Sequence, residues 1–150
     1  MRLVADTSGI VAAINQDQAD SDRFRAALAG AAQVFVTPLV LGEAHYVLTS
    51  AGSRHAADVL LTDVAEGFFE LVQPTARDYG AAAELIRQYG GQLRRKRRKP
   101  GSLDLADAMN VVIAARVGVN ELLTADQDYR VVKPLTSHPA FKLIPWDTAP

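Results

Sequence analysis

The chain opens Met1-Arg2-Leu3-Val4-Ala5-Asp6-Thr7-Ser8-Gly9, a short apolar run that stops at an acid, two hydroxyl residues and a glycine. A run of this kind reads as a buried strand ending at Asp6, with the following residues starting a helix. The same alternation continues downstream. Residues 18–31 carry Phe24 and Leu28 at helical spacing among charges, which predicts an amphipathic helix, and Gln33-Val34-Phe35-Val36 predicts a second strand. Thr37-Pro38 places an N-cap threonine before a proline at the first helical position, so a helix is expected to run to Ser50. Further helices are expected over 56–64, over 76–89 behind a Thr75 cap, and from a Ser102 cap to Val117, which Gly118 closes. The remaining strand candidates are 68–72, 121–124 and 141–144. Strands alternating with helices imply an α/β fold with a mainly parallel sheet and helices on both faces, and residues 1–150 show no repeat or linker that would divide them.

Composition narrows the class. At 150 residues, 49% hydrophobic and 22% charged, the chain has the balance of one folded domain rather than a disordered segment. No apolar stretch approaches the roughly 18 residues of a membrane span, and Asp6 interrupts the first apolar run too early for a secretory signal. The absence of cysteine excludes disulfides, thiolate metal sites and thiol nucleophiles, and with them favours a cytoplasmic setting without membrane contact. The net charge of -1 hides an asymmetry, because Arg94, Arg95, Lys96, Arg97, Arg98 and Lys99 form one unbroken run. Without these six of the 16 cations, ten face 17 acids and the rest of the chain stands at -7. An acidic body with one basic strap suits a metal site facing a polyanion, the alternative being a solvated loop.

In an open parallel sheet, functional groups gather at the carboxyl ends of the strands. Asp6 ends the first strand and Asp126 follows Leu122-Leu123-Thr124. Glu43 and Asp107 lie on apolar helices, where charge is costly unless paired or bound to metal. Each has an ordinary explanation: Asp6 as a helix cap, Glu43 on a solvated face, Asp126 in a turn. All four can nevertheless converge on one end of the sheet, and like charges brought so close need a cation. Oxygen ligands without a cysteine or histidine cluster favour magnesium or manganese, Mg2+ or Mn2+, over zinc. Asp104 and Asp107 are three residues apart and share a helix face; with Ser102 as cap, Asp104 falls in the first turn and Asp107 beyond it.

Taken together, Asp6-Thr7-Ser8 after strand one, Glu43 on the helix after strand two, Asp107-Ala108 on a later helix and Thr124-Ala125-Asp126 after a late strand resemble the PIN-domain pattern. The similarity spans residues 1 to about 146 and is nearest to the VapC-type toxins of bacterial toxin–antitoxin pairs. The resemblance implies a three-layer α/β/α fold and a metal-dependent ribonuclease whose site acids are Asp6, Glu43, Asp107 and Asp126. It makes Asp104 and Asp128 possible helpers, and Ser8 and Thr124 hydroxyl donors that orient carboxylates or waters. It further implies an RNA substrate, a small cognate antitoxin and a homodimer. The 94–99 run is denser than the pattern accounts for; as a phosphate-binding strap it would add salt-sensitive RNA affinity.

Rival readings are weaker. A phosphotransfer receiver needs a central phosphoacceptor, and strand three ends in Val72-Gln73-Pro74. No Gly-x-x-x-x-Gly-Lys-Ser/Thr sequence occurs to bind a nucleotide. A non-catalytic RNA-binding or regulatory protein on the same fold remains the alternative, since an intact acid set shows capacity and not activity.

Overall fold

The computed structural model describes residues 1–90 and 103–148. The 94–99 basic run and the Ser102 cap lie outside the described residues. In chain order the elements are β1 (Arg2–Ala5), α1 (Thr7–Ile14), α2 (Ser21–Ala29), β2 (Gln33–Val36), α3 (Pro38–Ser50), α4 (Arg54–Ala65) and β3 (Glu70–Leu71). Then follow α5 (Ala76–Tyr89), α6 (Leu105–Val117), β4 (Glu121–Leu123), a 3-10 segment (Gln127–Val131) and β5 (Lys142–Ile144). The strands form one parallel sheet in the order β3-β2-β1-β4-β5, with Val4 paired to both Phe35 and Leu122.

Period-two alternation divides the interior into two cores. Leu3, Ala5, Val34, Val36, Leu123 and Ile144 face α1 to α4, meeting Ile10, Phe24, Leu48 and Leu60. Val4, Phe35, Leu122 and Leu143 face α5 and α6, meeting Leu85, Met109 and Ile113. A sheet covered on both faces explains why its strands are almost uninterrupted apolar runs.

The chain winds outward from β1 through β2 to β3, then returns to lay β4 on the other side of β1. Between the carboxyl ends of β1 and β4 lies the switch point, where such sheets open a crevice. The Asp6 amide donates to the Leu123 carbonyl at 3.0 Å, so the two strand ends are tied there. Close approach of α1 to β4 depends on Gly9, where an added Cβ would lie 2.2 Å from the Leu123 carbonyl oxygen. Backbone cannot yield as a flexible side chain would. Gly9→Ala is therefore expected to destabilise by about 1–3 kcal/mol, the cost of overpacking a tight core. Urea unfolding measures it, and a midpoint equal to wild type would show that α1 can lift without penalty.

Two helix starts bear on the site. Thr37 caps α3 as the sequence predicts, accepting from the Val40 amide, with Pro38 in the first turn. The start of α6 is different: the cap is Asp104, whose carboxylate accepts from the Asp107 amide at 2.8 Å, and Leu103 is buried just before it. Asp107 is thereby a first-turn residue, contrary to the reading based on a Ser102 cap. Gly118 ends α6 in the left-handed conformation at φ 66°, as expected.

Candidate active site

Asp6 stands at the backbone position of a helix cap, yet its side chain makes no capping bond. It turns instead into a polar nest and is 4% exposed. Its Oδ2 accepts from Ser8 Oγ at 2.7 Å and Thr124 Oγ1 at 2.9 Å, and its Oδ1 accepts from Asn110 Nδ2 at 3.2 Å. Both hydroxyls are used twice. Ser8 Oγ also accepts from the Ala125 amide, and Thr124 Oγ1 from the Asp126 amide, each at 3.0 Å. Donors to a carboxylate on one side and acceptors for the β4 loop on the other, these two residues lock the strand ends together.

Burial nevertheless raises the Asp6 pKa above the ordinary carboxylate value, and the Asp126 charge adds to it, against the lowering from Ser8, Thr124 and the Thr7 backbone. Asp107 is pushed further, up to about 8, first by burial and then by Asp6, Asp104 and Asp126, with the Tyr129 hydroxyl opposing. Glu43 is raised by partial burial, then by Asp104 and Asp6. Glu43 is exposed, as its solvated-face reading has it, and stands at the rim rather than the floor.

A cleft of about 340 Å³ gathers Asp6, Ser8, Glu43, Asp107 and Asp126. The four acids reach it from the end of β1, from α3, from α6 and from the loop after β4. Asp104 and Asp128 do not line it. Asp104 is occupied as the α6 cap, and the Asp128 amide donates to Asp126 Oδ1 at 2.8 Å, holding that carboxylate at the head of the 3-10 segment. A larger cavity of about 550 Å³ runs past Ile14, Leu28 and Val59 and carries none of these four acids.

The set fits a hard divalent cation by its chemistry. All the donors are oxygens. Among the described residues no arginine or lysine pairs with Asp6, Glu43, Asp104 or Asp107. No three of the described acidic or histidine side chains form a finished cage; closing on an ion requires side-chain adjustment.

Two residues at the site were not anticipated. Asn110, fully buried on α6, and Tyr129, 1% exposed in the 3-10 segment, both bond to the acids. An asparagine inside Ala108-Met109-Asn110-Val111-Val112 was a visible signal, as a polar residue in an apolar run. Tyr129 gave none, because its hydroxyl meets partners distant in sequence.

A family model described as PIN domain matches residues 3–134. Ribonuclease VapC26 of Mycobacterium tuberculosis (strain ATCC 25618 / H37Rv) is 26% identical over 126 residues, spanning 83% of this chain and 87% of that protein. Among solved structures, VapC20 of Mycobacterium tuberculosis, described as a sarcin-ricin loop cleaving toxin, aligns with a TM-score of 0.70 at 20% identity. That alignment covers 84% of this chain and 91% of the other. VapBC2 from Rickettsia felis, bound to a DNA fragment from their promoter, aligns with a TM-score of 0.60 at 18% identity, over 95% and 97% of the two chains. These two structures establish likeness of fold.

Proposed function

The chain belongs to the PIN-domain family, and from that premise we propose that it is a divalent-metal-dependent endoribonuclease, the toxin of a toxin–antitoxin pair. The observation that carries this reading is the convergence of Asp6, Glu43, Asp107 and Asp126 on one cleft at the switch point of the sheet. The similarity to Ribonuclease VapC26 supports RNA as the substrate. The VapBC2 neighbour supports an antitoxin partner, and a homodimer acting in the cytoplasm completes the proposal. Among the described residues no helix is long and apolar enough to cross a membrane.

Asp6, Asp107 and Asp126 would hold the ion, with Glu43 closing from the rim. A bound magnesium or manganese would lower the pKa of its water and neutralise charge building on the scissile phosphate. Ser8 and Thr124 keep both lone-pair faces of Asp6 Oδ2 oriented, so the most buried acid cannot rotate away when the ion arrives. Incubating purified protein with total RNA, with manganese or with chelator, and mapping the cut ends tests the proposal. Metal-dependent internal cuts support it. RNA binding without cleavage would move the protein to the non-catalytic reading.

The basic run is proposed as a phosphate-binding strap. Replacing Arg95, Arg97 and Arg98 by glutamine should lower the dependence of log affinity on log salt by about 2, since each phosphate contact on a single strand contributes roughly 0.7 to the slope. Turnover at saturating RNA should change less. Binding measured from low to moderate salt decides it; an unchanged slope would assign the run to another partner.

A further inference from the structure

Asn110 and Tyr129 do more than fill the core. Asn110 lies three residues after Asp107 and so shares its side of α6. One hydrogen of its Nδ2 serves Asp6 Oδ1 at 3.2 Å and the other serves the Tyr129 hydroxyl at 3.1 Å. That hydroxyl stands 3.1 Å from Asp107 Oδ1 and 3.5 Å from Asp6 Oδ1. A phenol has one proton to give. The shorter contact takes it, so a directed chain runs from Asn110 through Tyr129 to Asp107 while Asn110 also holds Asp6.

The orientation of the amide supports this. Asn110 Oδ1 is buried and has no hydrogen-bond partner among the described residues. Leaving a buried acceptor unpaired is costly, but turning the amide over would set that oxygen against the Asp6 carboxylate. The arrangement keeps one donor on Asp6 and the other on the Tyr129 hydroxyl. Core packing explains only the ring of Tyr129, which meets Phe141 edge-on with centroids 6.3 Å apart. Phenylalanine would fill the same space without setting a polar atom between two carboxylates.

We propose that Tyr129, held by Asn110, is a positioning residue for metal binding: its hydroxyl fixes Asp107, on α6, relative to Asp6, at the end of β1, so that both can engage one divalent ion. Because Tyr129 lies in the 3-10 segment that Asp126 caps, the same contact ties the third acid's loop to the other two. The inference rests on the reading of these acids as metal ligands.

The test is calorimetric titration of the full-length protein with manganese in the absence of RNA. Tyr129→Phe should raise the manganese Kd about tenfold, the lower end of what losing a partner of a metal-ligating group costs. Cleavage at saturating manganese should fall much less. Asn110→Ser should move the Kd in the same direction, and the double variant should cost little more than the worse single one, because both act through one chain of bonds. Wild-type affinity in a folded Tyr129→Phe protein overturns the proposal even if its melting temperature drops, since the hydroxyl would then serve folding alone. Should that variant not fold, Asn110→Ser carries the same test, and wild-type affinity there overturns it equally. A wild type that binds no manganese removes the metal reading itself, and this inference with it.

Discussion

Asp107→Asn is expected to lower metal-dependent cleavage roughly a hundred- to a thousand-fold, the range lost when one preorganised electrostatic group is taken from a transition state. Asp104→Asn is expected to leave most of the activity. The two acids are neighbours on α6 but do different work. Asp104 is exposed, lies outside the cleft lining and spends its carboxylate on the Asp107 amide. Asparagine caps a helix about as well as aspartate, so the bond that starts α6 survives the substitution. What disappears is a negative charge that raises Asp107 and Glu43, and its loss should slightly stabilise the metal-free protein. Asp107 faces the cleft and Tyr129; its place in the first turn of α6 favours a negative charge, but burial and the neighbouring acids oppose one there, so helix formation alone does not explain its carboxylate. Single-turnover cleavage by both variants across a manganese titration separates them. The opposite ranking would make Asp104 the principal ligand and require the first turn of α6 to rearrange on binding metal.

Local chemistry explains which parts of this outcome were visible in the sequence. The strand ends at Asp6 and Asp126 and the Thr37-Pro38 start of α3 are short-range signals, and the structure reproduces them. Strand three was read over 68–72, yet the strand itself is only Glu70–Leu71, paired with Phe35 and Val36; the Val72 amide adds one more bond, to the Val36 carbonyl at 2.9 Å, while Phe69 is buried beside the strand and Phe68 is exposed. Apolar composition marks what is buried, not where the strand begins. At α6, Ser102 and Asp104 are both residues that cap well, and propensity alone does not choose between them. Burial of Leu103 immediately before the helix does, and burial is a tertiary property. The Asn110 and Tyr129 contacts were beyond reach for the same reason: they span 104 residues to Asp6 and 22 to Asp107. A sequence shows which acids can meet, but not which neutral groups stand between them.

The remaining large effect is on the pH dependence of stability without metal. Asp107 is pushed up to about 8 in the folded protein from 3.8. Between those values the folded state holds a proton that the unfolded chain has released, so stability is fully present at low pH and falls as pH rises. Asp6 and Glu43 are raised as well and act in the same sense. Asp78, held down by its Thr75 and Arg116 contacts against burial, and Asp147, held down chiefly by Arg130, act oppositely. Their contribution is lost only as pH falls through the acid range; outside the cleft, Asp63 is raised by partial burial and then by Glu66 and acts in the cleft's sense, which leaves the interval from pH 5 to 8 chiefly to Asp107 and its neighbours. In chelator, the melting temperature should therefore fall across that interval by about 4–8 °C, corresponding to roughly 2 kcal/mol for a chain of this size. Manganese should reverse the slope, because deprotonated carboxylates bind the ion and binding to the folded state adds stability by mass action. Asp107→Asn should flatten both curves. Scanning calorimetry at pH 5, 6, 7 and 8, with chelator and with manganese, measures all three. A metal-free melting temperature that rises from pH 5 to 8 would mean that the cleft acids do not repel one another as their placement requires.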